Sequence, residues 1–204
     1  MKTFVLFVIL LLGGALFAQV APNGGALMVN TPKGIFALRS GVLARIAPAT
    51  LKVEKVMQIY GALPEPPAQG AAREAFQQYY AEVAKRNAPA ILLVKDGDLL
   101  LVTGDIFARI NQDTLKVEAT ANLKDPAETA DPNQRGVRQE PAPGYLLVNT
   151  TLYLLRSKDI LSVEITDGKL TRQPLPAQLQ PVQPTFQGGG GRGPGGNAGG
   201  GGRN

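Results

Sequence analysis

The feature that most constrains this chain is an internal repeat. Gly41-Val42-Leu43-Ala44-Arg45-Ile46-Ala47-Pro48-Ala49-Thr50-Leu51-Lys52-Val53-Glu54 aligns without a gap with Asp105-Ile106-Phe107-Ala108-Arg109-Ile110-Asn111-Gln112-Asp113-Thr114-Leu115-Lys116-Val117-Glu118. Ala-Arg-Ile and Thr-Leu-Lys-Val-Glu are identical in both copies, at a constant offset of 64 (105 minus 41). The same offset carries Ile35-Phe36-Ala37-Leu38 onto Leu99-Leu100-Leu101-Val102. Such self-similarity marks a unit that cannot bury its apolar surface alone and stacks on copies of itself.

A third, more diverged copy follows. Tyr145-Leu146-Leu147-Val148 matches Ile91-Leu92-Leu93-Val94, and Leu154-Leu155-Arg156-Ser157 echoes Ala37-Leu38-Arg39-Ser40. Leu161 to Leu170 is set against Ile106 to Leu115 at an offset of 55 (161 minus 106). The repeats thus cover about residues 26–63, 90–124 and 144–175, with a helical insertion over 70–87 and a Pro-rich loop over 125–143.

Each copy reads as about four short strands. Leu115, Val117, Ala119, Ala121 and Leu123 alternate with polar residues, the period-two pattern of a half-buried antiparallel strand. Ile35 to Leu38 and Leu99 to Val102 are continuous apolar runs, suited to strands covered on both faces. Asp96-Gly97 supplies a hairpin turn, and Asp113-Thr114 marks the next one. In the insertion, Phe76, Tyr79, Tyr80 and Val83 fall at i, i+3, i+4 and i+7 between flanking prolines, which predicts an amphipathic helix whose stripe docks on the host domain.

An apolar run, a Gly-containing turn and then a Thr-x-Lys turn resemble a β-propeller blade of the quinoprotein-like (PQQ-repeat) kind, carried here by Leu43 to Lys52 and Phe107 to Lys116. Leu51 and Leu115 occupy the place of that motif's glycine, and no residue of a quinone site carries over, so the resemblance implies architecture and no dehydrogenase activity. The expected fold is therefore mainly β, with three tandem four-stranded blade-like repeats and one inserted helix. Three blades are few for a closed ring. One solution is a partial propeller that a second subunit completes to six; the other is a β-trefoil-like barrel. The third copy's last strand, Leu170 to Pro176, carries two prolines, so it is either an edge strand or replaced by residues 19–30.

Outside the repeats, residues 1–18 read as a secretory signal: Lys2, then an unbroken apolar run from Phe4 to Leu12, then small residues up to Ala18. With no Cys in the chain, export to the periplasm or exterior of a bacterial envelope fits better than a disulfide-forming secretory route. Nothing after the leader is a transmembrane helix candidate. Residues 187–204 are Gly-rich and expected to stay disordered. The net charge of +5 falls to +2 once Lys2, Arg192 and Arg203 are set aside (5 minus 3), and what remains is of mixed sign, so no nucleic-acid partner is expected.

The chain has no His, Cys or Trp, which excludes His- or Cys-based metal sites, Ser-His relays and thiol nucleophiles. No cofactor is expected. Asp96, Asp98 and Asp105 surround a turn, where acids commonly bond their own backbone. Glu54, Glu118 and Glu164 recur along the strands, and a recurrent position argues for structure over catalysis. The candidate binding residues are the repeat arginines Arg45 and Arg109, the pair Arg39 and Arg156, and the helix tyrosines Tyr79 and Tyr80. The reading that follows is an exported, non-enzymatic scaffold or protein-interaction module that binds a protein partner or itself. The alternative is a ligand-binding module for a small anion or glycan.

Overall fold

The computed structural model describes residues 18–21, 25–126 and 142–179. The leader up to residue 17, residues 127–141 of the Pro-rich loop and the Gly-rich tail lie outside the described residues. Within them the fold is mainly β, with three antiparallel meanders and one helix.

Sheet I runs β2 (Leu27–Thr31), β3 (Gly34–Arg39), β4 (Val42–Ile46) and β5 (Val53–Gln58). Sheet II runs β6 (Ala90–Lys95), β7 (Asp98–Thr103), β8 (Ile106–Asn111) and β9 (Val117–Asn122), with β1 (Ala18–Ala21) added antiparallel on the β6 edge. Sheet III runs β10 (Gly144–Val148), β11 (Thr151–Leu155), β12 (Asp159–Glu164) and β13 (Leu170–Pro174). The last of these is an edge strand, which accommodates Pro174; residues 18–21 join sheet II instead of replacing it. The sheets do not close into a barrel, so the trefoil-like alternative is not the one adopted.

Turn conformations recur between the copies. Asp96 and Gly97 of the β6–β7 turn both have positive φ (49° and 86°), as a two-residue hairpin turn requires; Asn149 holds the place of Asp96 in the third copy, at 53°, and Ser40-Gly41 forms a turn of the same kind between β3 and β4, at 48° and 74°. The β4–β5 turn is closed by Leu51 N–H donating to the Ala47 carbonyl (2.8 Å), the β8–β9 turn by Leu115 N–H to Asn111 (2.9 Å), and the β12–β13 turn by Gly168 N–H to Glu164 (2.8 Å). All three closing residues are left-handed, at 55°, 54° and 76°. This corrects the register of the third copy: Gly168 matches Leu115, an offset of 53 (168 minus 115) instead of 55, and the pairing Tyr145–Leu154 matches Leu92–Leu101, so Leu146 falls on Leu93 instead of Leu92. Matching Leu170 to Leu115 by side chain misplaced a position that the backbone conformation defines. Only the third copy has glycine at this left-handed position.

The sheets stack in chain order. One cluster joins Leu27, Val29, Phe36, Leu38 and Leu43 of sheet I to Leu92, Leu99, Leu101, Ala108 and Ile110 of sheet II. A second joins the opposite face of sheet II, through Ile91, Leu93, Leu100, Val102 and Phe107, to Leu152, Leu154, Leu161 and Val163 of sheet III. Sheet II is covered on both faces, as the run Leu99 to Val102 predicts. Sheet I is not: Phe36 and Leu38 are buried, whereas Ile35 and Ala37 on its other face are only half-buried. Each leucine taken fully out of water contributes about 2 kcal/mol, so these two stacks hold the fold together.

A β-bulge revises the period-two reading of β9. Ile110 pairs with Val117 but Arg109 with Ala119, so Glu118 is the extra residue; Glu54 is its counterpart, between Ile46–Val53 and Arg45–Lys55. The bulge flips the phase. Leu115 packs toward sheet I, whereas Ala121 and Leu123 pack toward sheet III.

The helix, α1 (Arg73–Arg86), forms where expected, with Glu74 in its first turn and Lys85 and Arg86 in its last. Its stripe is only half-buried: no residue of the helix is buried, and Tyr80 is 61% exposed. A 14-residue helix is marginal alone. Arg86 fastens it, donating to the carbonyls of Tyr60 (3.3 Å), Gly61 (3.3 Å) and Ala62 (3.0 Å).

Candidate functional site

The polar side chains of interest sit where one sheet meets the next. At the joint of sheets I and II, the β8–β9 turn is the hub. Thr31 Oγ1 donates to Gln112 Oε1 at 2.8 Å, both residues being buried. Arg45 donates to the carbonyls of Gln112 (3.4 Å) and Asp113 (3.2 Å), Lys55 donates to the Asp113 carbonyl, and Lys33 pairs with the Asp113 carboxylate at 3.0 Å. At the other end of the joint, the Tyr60 hydroxyl donates to the Thr103 carbonyl (3.1 Å). Burial pushes the Tyr60 phenol up from its ordinary range, against the opposing hydrogen bond with Thr103. Gly41, left-handed and with Tyr60 Cδ2 2.9 Å from where a Cβ would stand, leaves that ring its room.

The joint of sheets II and III uses different chemistry. Asp159 is buried and flanked by two arginines: Arg172 Nη1 donates to its Oδ2, and Arg156 Nε lies 3.6 Å from its Oδ1. Both guanidinium groups also donate to the Leu123 carbonyl of sheet II, at 2.6 Å each. Gly168 presses against the same sheet, with the Thr120 carbonyl oxygen 2.3 Å from the position of an added Cβ.

These contacts place each candidate residue. Arg45 pairs with Glu54 at 2.8 Å and Arg109 with Glu118 at 3.2 Å, one ion pair made twice because the bulge sets each glutamate beside its arginine. Arg109 also lies 3.8 Å from Asp98. Burial, and then the Glu118 charge, push the Asp98 carboxyl up, while Arg109 pulls it down. Arg156 belongs to the Asp159 cluster, whereas Arg39 is exposed at the end of β3, so these repeat partners have different settings. Tyr79 and Tyr80 meet edge to face, with ring centroids 5.7 Å apart.

Among the acids of the β6–β7 turn, Asp96 is exposed and pairs with Lys95 at 3.0 Å. Glu164 accepts hydrogen bonds from Thr150, Thr151 and Thr166 at 3.3, 3.4 and 3.2 Å. No three acidic side chains gather into a metal-binding group among the described residues. No helix among them is long and apolar enough to cross a membrane.

Sequence reasoning missed the Asp159–Arg172 pair and the Tyr60 latch. Asp159 did carry a signal: it stands in phase with Leu161 and Val163, and an acid in the buried phase of a strand demands a partner. Tyr60 carried none. Comparison with known proteins supplies no relative: no family model matches the chain, and no curated protein does.

The open surfaces are as informative as the joints. Met28, Ala37, Ala44 and Val56 form one cross-strand row on the outer face of sheet I, and Ile35, Ile46 and Val53 form the next. On the outer face of sheet III, Leu146 pairs with Tyr153 and Leu155 with Ile160. Met28 is 51% exposed, Val56 57%, Leu146 60% and Leu155 50%. These faces stand at opposite ends of the stack.

Proposed function

We propose that this protein is an exported, non-catalytic scaffold that engages protein partners through the outer faces of sheets I and III. The carrying observation is one residue in two places. Leu51 and Leu115 share a repeat position and a left-handed backbone, yet Leu115 is 6% exposed, beneath sheet I, and Leu51 is 73% exposed. An apolar face whose counterpart elsewhere in the molecule is buried is a surface built to be covered.

Other features support the same reading. Lys2, the apolar run and Ala18 speak for export to the periplasm or beyond. The Thr166-Asp167-Gly168-Lys169 turn strengthens the likeness to quinoprotein-type blades. Three of the four candidate arginines are occupied in ion pairs within the chain, which speaks against an anion or glycan site built on them. Cross-linking in intact cells that express the full chain tests the proposal. Adducts of the exported form are expected with the natural sequence and lost with Val56→Arg and Leu155→Arg; adducts unchanged in both variants would refute it.

A further inference from the structure

From the register of the three sheets we infer that the partner on these faces is a second copy of the chain, joined head to tail so that two chains of three sheets close a six-sheet ring. The inference rests on reading the outer faces as interaction surfaces, and it names their occupant.

At the offset of 64, Met28, Ile35, Ala37, Ala44 and Ile46 on the outer face of sheet I correspond to Leu92, Leu99, Leu101, Ala108 and Ile110, the face of sheet II that sheet I covers. At the offset of 53, Leu146, Tyr153, Leu155 and Ile160 on the outer face of sheet III correspond to Leu93, Leu100, Val102 and Phe107, the face of sheet II that covers sheet III. The two open faces are therefore the two unlike halves of the joint that the molecule already makes twice inside one chain. Each half fits the other, not itself.

That asymmetry fixes the symmetry of the assembly. Unlike halves make a head-to-tail contact, which closes into a ring when the rotation per unit allows and otherwise runs on as a filament. β2 lies beside β6, so sheets I and II come together at their first strands. Sheets that meet at their first strands suit a radial arrangement, and six of them fall within the usual range of four to eight for such a ring.

The new joint differs from the internal ones in its polar groups. Thr31, Arg45, Gln112 and Asp113, which stitch sheets I and II, have as counterparts at the open joint Val148, Ser162, Pro48 and Ala49. No ion pair spans those positions, so the contact is apolar and salt leaves it intact.

Light scattering on the purified exported chain tests this, with the variants Ala44→Arg on sheet I and Tyr153→Arg on sheet III. The natural chain is expected at twice its monomer mass, also in molar salt. Either variant alone falls to monomer mass, and an equimolar mixture of the two regains a dimer, because one intact joint remains. A monomeric natural chain, a Tyr153→Arg protein that still dimerises, a mixture that stays monomeric, or open-ended oligomers would each overturn the ring. If either arginine variant loses its β-sheet circular dichroism, Val56→Thr and Leu155→Thr replace them, and each is expected to weaken the dimer about tenfold. A monomeric pure chain whose cross-linked adducts persist in cells would defeat the second copy as occupant and leave the scaffold reading standing.

Discussion

The two internal joints share their apolar plan and little else. Between sheets I and II, a turn projecting from sheet II is gripped by Thr31, Arg45, Lys33 and Lys55. Between sheets II and III, Asp159 holds two arginines against the Leu123 carbonyl, and Gly168 lets the backbones approach. Apolar stacking thus defines the repeat, and the polar groups are local devices that hold each pair of sheets in register. The device at the first joint is largely exposed, and that at the second is largely buried.

Substitutions that remove each device separate the two, and equilibrium unfolding of the full chain reads them. Asp159→Ala is expected to cost most, about 3 kcal/mol or more, because it removes the buried carboxylate to which Arg172 donates and beside which Arg156 lies. Gly168→Ala comes next, at about 2–3 kcal/mol, since a Cβ there collides with the Thr120 backbone and the left-handed conformation adds strain. Its counterpart on the open face reverses the sign: Leu51→Gly relieves the same strain without emptying a core and stabilises the monomer by up to about 1 kcal/mol. Gln112→Ala is smaller than the first two, about 1–2 kcal/mol, the cost of leaving the buried Thr31 hydroxyl without that partner. If Gln112→Ala matched or exceeded Asp159→Ala, the ranking of the two joints would be wrong.

The smallest effect is one of pH. The Asp98 carboxyl titrates above its ordinary range in the folded chain, so its contribution to stability is fully present below the unfolded-state value and is lost as pH rises through the folded one. Asp98→Asn should therefore stabilise the protein slightly at neutral pH, with the gain fading in acid. A gain that grew on acidification would contradict this.

Much of the architecture was legible because the repeat is written in side chains. Three copies, four strands each, the helix between the first two and the Asp96-Gly97 turn all follow from pattern. What failed to show was set by the backbone and by neighbours. The bulge at Glu118 splits one alternating row between two cores, and the left-handed turn position is filled by Leu, Leu and Gly, so residue type hides the register. Ile35 to Leu38 and Leu99 to Val102 read alike, yet only the second run has a sheet on either side. For the candidate residues, Arg45 and Arg109 were recognisable as equivalents, but their glutamates became partners only through the bulge.

The pairing of β1 has a consequence for the order of folding. Every strand of the three meanders pairs with its neighbour in sequence, so each sheet can form from local contacts, and chains dominated by local contacts fold fast. β1 is the exception: Ala21 lies opposite Ala90, across the whole of sheet I and the helix. A chain emerging N-terminus first can complete sheet I while β1 waits for β6. The first strand to appear is then among the last to settle, and until it does the β6 edge stays open to other chains.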